Sequence, residues 1–466
     1  MSSFRSYAVT KLAGLGTRYL PFADVASEEV SLARLMRLSL FQITVGMALV
    51  LMVGTLNRVM IVELDVPSSI VALMISLPIL FAPFRAFIGF KSDTHQSALG
   101  LKRFPFIYRG TLLQFGGFAI MPFALLLLSG YGEAADLPRW YGVIAAGLAF
   151  LLVGAGVHIV QTVGLALATD LVREEDQPKV VGLMYVMLLF GMIGSAFLYG
   201  ALLENYTPGR LIQVIQGAAI TTVVLNTLAV WKQESRIRRP APAHVPSFSE
   251  AWGTWARAPG ALRLLVVIAL GTFAFGMADV LLEPYGGQVL RLSVAETTRL
   301  TAMFGLGTLG GLAAAWQLLS RGGAPERVAA LGALVGIPGF ALIISASQIG
   351  MPSAFVMGTI LTGVGAGLFG HGTLTATIRR APKGHIGLAL GAWGATQATA
   401  AGFGVALGGI ARDVIKALPG VPASATEIQY IPVFATEIVF LVLALLIALP
   451  LWQVRSGQAA KEIYVP

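Results

Sequence analysis

Apolar runs long enough to cross a bilayer recur from one end of this chain to the other, and they decide what it can fold into. Hydropathy marks twelve of them, at about 38–57, 68–88, 107–129, 141–168, 180–203 and 211–231, then 262–282, 297–319, 327–346, 352–376, 386–409 and 431–452. A helix of about 20 such residues spans roughly 30 Å of hydrocarbon. Only 12% of the 466 residues are charged, about half the share of an ordinary soluble protein. The sequence therefore predicts an all-α polytopic membrane protein with twelve transmembrane helices.

An even number of spans puts both termini on one side, and the charges say which. Of 32 Lys and Arg residues, 25 fall on the side of the termini, whereas the acids divide almost evenly. The positive-inside rule makes that side, and both termini, cytoplasmic. The net charge of +9 is thus a signature of topology and not of nucleic-acid binding. The predicted organisation is a cytoplasmic arm (1–37), a six-helix bundle (38–231), a cytoplasmic linker (232–261), a second six-helix bundle (262–452) and a cytoplasmic tail (453–466). The first apolar run follows a long polar segment without a cleavage site, so it reads as a retained helix. Residues Arg5 to Leu20 mix cations with Leu12, Leu15 and Tyr19 and suit an amphipathic segment on the membrane surface. The absence of cysteine excludes disulfides and thiolate metal sites.

The two bundles carry a faint repeat. GAGVHIVQTVGLALATDL from Gly154 in span 4 is echoed by GAGLFGHGTLTATIRRA from Gly365 in span 10, each followed by Pro-Lys and a glycine-rich helix. This fits parallel repeats about an axis along the membrane normal. Anchored on the Gly-Ala-Gly triplets, the alignment sets His158 against Phe369, two positions and about 200° of helix turn from His371. Glycines at small-xxx-small spacing, such as Gly307/Gly311, Gly332/Gly336 and Gly363/Gly367, predict close helix packing inside the chain.

Twelve spans in two halves, with a loop after span 2 carrying Gly89, Asp93, Gly100, Lys102 and Arg103, resemble the major facilitator superfamily. The loop departs from the usual pattern: Thr94 replaces an arginine and about four residues are inserted. A closer resemblance lies in RLSLFQITVGM (37–47), GTLNRVMIVEL (54–64), PFRAFIGFKSDTH (83–95), QTVGLALATDL (161–171), DVLLEPYGG (279–287) and GAWGATQATAAG (391–402). These stretches resemble the bacteriochlorophyll delivery branch, the PucC/LhaA-type light-harvesting complex assembly family. The resemblance implies two parallel six-helix repeats and a bacterial inner, intracytoplasmic photosynthetic membrane. It implies a role in antenna assembly, with bacteriochlorophyll bound as cargo and no other cofactor. The implied partners are membrane lipid, light-harvesting antenna polypeptides and the reaction centre-antenna core or pigment-synthesis enzymes.

Polar side chains inside spans are costly and count as functional candidates. His158 in span 4 and His371 in span 10 have imidazole nitrogens suited to a pigment magnesium, or else they hydrogen-bond neighbouring helices. Gln42, Gln114, Gln161, Asn226 and Gln397 read as interhelix hydrogen bonds or contacts to pigment carbonyls, with Gln114 and Gln161 the candidates beside the histidines. Asp279 and Glu283 share one face near the outer end of span 7. They fit proton coupling, ligation of a pigment magnesium, or an outer-surface pair bound to Arg291, Arg299 or water, since Pro284-Tyr285-Gly286-Gly287 is expected to end the helix. Arg58 is expected to pair with Glu63, Asp65 or the span 7 acids. Asp170, at the negative end of span 4, needs a basic partner, Arg85 or Arg109.

No nucleotide loop, catalytic triad or metal-ligand cluster is present, so the chain reads as a non-enzyme. The leading reading is an antenna assembly factor that handles or delivers bacteriochlorophyll. The alternatives are a secondary transporter of a small solute, proton-coupled through Asp279 and Glu283, and a helix-binding chaperone that never touches pigment.

Overall fold

A computed structural model describes residues 30–80, 88, 91–92, 101–173, 176–234, 260–380, 386–422 and 425–462. The described residues are helical, with no strand. In chain order the helices are α1 (Leu32–Glu63), α2 (Ser68–Leu80), α3 (Phe104–Ser129), α4 (Trp140–Asp170), α5 (Gln177–Leu202) and α6 (Pro208–Val230). The second half supplies α7 (Ala261–Gln288), α8 (Val294–Ser320), α9 (Pro325–Gln348), α10 (Pro352–Arg380), α11 (Ile386–Ala417) and α12 (Ile431–Glu462). Eleven of these are long and apolar enough to cross a membrane, and α2 is short within its described part. The chain is a multi-pass membrane protein. The arm before Val30, most of the 232–261 linker and the loop residues Gly89, Asp93 and Gly100 lie outside the described residues.

Glycines set the packing of each half. A Cβ built on Gly156 of α4 would lie 2.5 Å from the carbonyl oxygen of Gly110 and 2.7 Å from the amide nitrogen of Gln114 on α3. In the other half, a Cβ on Gly365 of α10 would lie 2.7 Å from the Gly332 oxygen and 2.9 Å from the Gly336 nitrogen on α9. Gly117 meets Ala149 and Val153 just as Gly339 meets Gly358 and Thr362. Gly46 and Gly191 lock α1 to α5 as Gly276 and Gly404 lock α7 to α11. Where no hydrophobic force drives helices together in lipid, such backbone contact supplies dispersion that larger residues would block.

These matched contacts fix the repeat and correct the register read from the triplets. Gly156, not Gly154, is the counterpart of Gly365. His158 then corresponds to Gly367 and His371 to Thr162. The two histidines are offset by about one helical turn on similar faces, not half a turn apart.

The face carrying the termini shows an inverted ion pair. Arg103, at the start of α3, donates to Asp170, at the end of α4, at 3.1 Å and to Ser92 at 2.6 Å. At the matching place Glu326, in the first turn of α9, accepts from Arg380 at the end of α10. The partner of Asp170 is thus Arg103; no bond joins it to Arg109, and Arg85 lies outside the described residues. Glu234 folds back from the end of α6 to accept the N–H groups of Lys102 (2.5 Å), Arg103 (2.8 Å) and Phe104 (3.0 Å). A carboxylate there satisfies orphan donors at the positive end of α3.

The glycine contacts predict that Gly156→Val lowers the thermal unfolding midpoint of the purified protein, by the equivalent of about 1–3 kcal/mol. Gly116→Val, where nothing lies within 4 Å, should leave it near wild type. Equal midpoints for the two variants would contradict this packing.

Candidate functional site

The site grows from two irregular helices that meet between the halves. α1 turns π-helical over Val50–Leu56 and again over Val59–Glu63, a distortion found often at functional positions. Asn57 and Arg58 sit between these stretches. α7 breaks after Ala278 and resumes as a short helix over Leu282–Gln288. Pro284 falls in the first turn of that short helix, where its missing N–H costs nothing. The helix therefore continues through Pro284 to Gly287, contrary to the stop expected there.

The break frees the Val280 carbonyl, and Asn57 donates to it at 3.0 Å across the halves. Thr55 and Thr298 are hydrogen-bonded at 3.2 Å. Arg58 is buried, with 4% of its surface exposed. It pairs with Glu63 and donates to the Leu292 carbonyl at 3.2 Å, also across the halves. Further out, the Ser69 N–H donates to Asp413 at 2.7 Å, and Arg412 donates to Ser68 at 3.2 Å and to Gln288 at 2.8 Å. Arg299 reaches Glu204, in the turn after α5, at 3.8 Å. Together these contacts clasp the two halves at the face opposite the termini.

Beneath the clasp lie the carboxyl groups of the second half. Glu283 is 5% exposed; one oxygen accepts from Thr301 at 2.9 Å, and the other has no hydrogen-bond partner. Thr301 in turn packs on Gly54, where a built Cβ would lie 2.5 Å from its hydroxyl oxygen. Asp279 is partly buried at the break. The pair is therefore not an outer-surface pair held by Arg299, which is engaged with Glu204.

Glu437 is the residue sequence reasoning missed. It sits on α12 with no exposed surface and no partner for either oxygen. The signal was present, because it is a lone carboxylate inside IPVFATEIVFLVLALLIALP.

The first half is polar in a different way. Thr44 donates to the Asn226 carbonyl at 2.8 Å, and the Asn226 amide donates to Thr111 at 3.0 Å, joining α1, α6 and α3 as the sequence suggested. Gln42 and Gln114 are fully buried, and neither amide has a partner. Gln114 lies against Gly156, two residues before His158. His158 and Gln161 are half-buried on α4, while His371 is half-buried on α10 in the other half. The structure thus gathers Gln114, His158 and Gln161 in one half, and Asp279 and Glu283 in the other. Lys102 and Arg103 belong to the network at the face of the termini. Among the described residues no group of three or more His, Cys, Asp or Glu is arranged to hold a metal ion.

A family profile described as "PUCC protein" matches residues 55–456. The chain belongs to the PUCC protein family. "Protein PucC" of Rhodobacter capsulatus is 64% identical over 461 residues, covering 98% of this chain and 100% of that protein. The "Bacteriochlorophyll synthase 44.5 kDa chain" of Rhodobacter capsulatus is 28% identical, covering 82% of this chain and 88% of that protein. Among solved structures, a bacterial homologue of the human lysosomal transporter Spinster, inward-facing and unoccupied, superposes with a TM-score of 0.67. It is 14% identical over 89% of this chain and 95% of its own. This PUCC family member thus has a major facilitator-like fold.

The clasp can be tested cleanly, because the chain has no cysteine. Spin labels on cysteines introduced at Leu137 and Ile349, exposed on the clasped face, should report one narrow distance in wild type. Arg58→Ala removes an ion pair and a cross-half hydrogen bond, about 1–3 kcal/mol, and should broaden that distribution toward longer distances. An unchanged distribution would show that Arg58 does not hold the halves together.

Proposed function

We propose that this chain is a light-harvesting antenna assembly factor that handles bacteriochlorophyll and antenna polypeptides within the bilayer. The observation that carries the reading is full-length similarity to PucC, supported by the more distant relative whose name refers to bacteriochlorophyll synthase. In this reading the protein lies in the photosynthetic inner membrane with both termini cytoplasmic. It carries no enzymatic activity of its own. The clasp sits on the far face, and pigment is held between the halves or taken sideways from the lipid.

His158 with Gln114 and Gln161 forms one candidate pigment contact, and His371 a second. An imidazole nitrogen supplies the axial ligand that a chlorin magnesium requires, while the buried Gln114 amide, which has no partner, can donate to a ring carbonyl. Polar groups without internal partners inside lipid are costly, which favours a ligand that completes them.

Deleting the gene in a photosynthetic host should abolish or sharply reduce the antenna absorption band, and the wild-type chain should restore it. His158→Leu and His371→Leu should each restore it only partly while the chain accumulates at normal levels. Normal antenna in the deletion strain would overturn the assembly role. Full rescue by both histidine variants would remove pigment ligation and leave helix chaperoning.

A second reading, proton-coupled transport of a small solute, draws on the partly buried Asp279 and the buried Glu283 and Glu437. It requires solute uptake in proteoliposomes that stops in the Asp279→Asn/Glu283→Gln double variant.

A further inference from the structure

Two hydrogen-bond acceptors are left over where α1 crosses α7, and among the described residues no donor meets either of them. Asn57 has no exposed surface. Its amide nitrogen donates to the Val280 carbonyl at 3.0 Å, which pins the amide to the break in α7. The amide oxygen, bonded to the same carbon, has no partner. Glu283 follows Val280 by three residues and is 5% exposed. One of its oxygens accepts from Thr301 at 2.9 Å, and the other has no partner.

Contacts on α8 bring these oxygens to one crossing. Thr301 packs on Gly54, one turn before Asn57 on α1, where a built Cβ would lie 2.5 Å from its hydroxyl oxygen. Thr298, one turn before Thr301, is bonded to Thr55 at 3.2 Å. The Thr301 hydroxyl spends its single proton on Glu283 and keeps lone pairs of its own. The Val280 carbonyl also keeps a lone pair, because Pro284, four residues on, has no N–H to take it. The crossing therefore presents a carboxylate, an amide oxygen, a hydroxyl and a backbone carbonyl. Irregular backbone at membrane depth, here the π-helical turns of α1 and the break in α7, is the usual setting in which freed carbonyls coordinate an ion.

The acid is not a requirement of the packing. Counting from Gly46 and Gly276, which make matching contacts, Val53 takes the place of Glu283 in the first half. Nor does the chain neutralise it. Arg58 lies against Gly287, one turn beyond Glu283, but its guanidinium is committed to Glu63 and to the Leu292 carbonyl. An ionised carboxylate at that depth is heavily penalised unless a cation meets it. The ligand types then select the ion. One carboxylate among neutral oxygens balances a single positive charge, whereas calcium calls for more oxygens and more charge. The four groups are all oxygen donors, which suits a hard cation and not a soft metal.

We propose that the crossing of α1, α7 and α8 binds one alkali cation of the sodium class. Its ligands are the Glu283 carboxylate, the Asn57 amide oxygen, the Thr301 hydroxyl and the Val280 carbonyl. Because they come from both halves, a bound ion reinforces the clasp. The site differs from proton coupling, in which a proton on Glu283 would suffice and the oxygens of Asn57 and Thr301 would have no part. It lies apart from the histidines and stands without the pigment reading.

The test is equilibrium binding of radioactive sodium to the full-length protein in detergent, with choline chloride holding the ionic strength fixed. Wild type should retain about one ion per chain, displaced by unlabelled sodium and not by choline, and sodium should raise its unfolding midpoint. Glu283→Gln keeps the shape without the charge and should bind at least about tenfold more weakly, with a midpoint indifferent to sodium. Thr301→Val, which removes only a hydroxyl, should weaken binding by a smaller factor. Displacement by potassium at lower concentrations than by sodium, lost in Glu283→Gln, would name potassium as the ion and still support the site. Absence of displaceable binding in folded wild type would overturn the proposal. So would undiminished binding in Glu283→Gln or Thr301→Val variants that remain folded. A wild-type midpoint that responds to pH but to neither sodium nor potassium would overturn it in favour of a proton on Glu283. Failure of antenna assembly with normal sodium binding would count against the assembly reading and support this one.

Discussion

The contact of Gly156 with the Gly110 carbonyl, repeated as Gly365 on Gly332, is the constraint from which the rest of the structure follows. In lipid, helices gain little from burying apolar side chains against one another, so approach of backbones must hold the bundle together. With the glycines of α1, α5, α7 and α11 making matching contacts, each half becomes a rigid unit of similar geometry. Two rigid units can then be joined at one face by directional bonds, and the clasp through Asn57, Arg58 and Asp413 does that. The irregularities of α1 and α7 fall where those bonds are made, because only a broken helix frees a carbonyl such as that of Val280.

The equality of the halves is confined to their backbones. The first half fills its interior with amides and hydroxyls, including the Thr44–Asn226–Thr111 chain and the unpartnered Gln42 and Gln114. The second places Asp279, Glu283 and Glu437 beneath the clasp. At the face of the termini even the ion pair between neighbouring helices is inverted, from Arg103–Asp170 to Glu326–Arg380. A transporter fold in which symmetry is kept in packing and abandoned in chemistry is suited to holding two unlike groups at once.

Most of the architecture was legible in the sequence, because a run of about 20 apolar residues has few physical alternatives. Span positions and the family resemblance came from long stretches. What stayed hidden depended on side chains meeting across helices. The repeat register was misjudged because two Gly-Ala-Gly triplets look alike, and only the crossing with α3 and α9 shows which glycines correspond. The run Pro284-Tyr285-Gly286-Gly287 predicts a helix stop, yet α7 breaks earlier, after Ala278, and is helical again through Pro284. Arg103 was grouped with a loop motif, whereas the fold pairs it with Asp170. Glu437 is visible in the sequence as a lone acid in an apolar run, but nothing along the chain shows that it is fully buried.

In the proposed role, a clasped transporter scaffold serves to carry pigment and antenna helices to one another. The most direct measurement is the absorption spectrum and polypeptide content of the chain purified by affinity tag from pigmented membranes. The expected result is a bound bacteriochlorophyll band together with recovered antenna polypeptide, and a weaker band when His158 and His371 are replaced. A colourless preparation that recovers no antenna polypeptide would contradict that role.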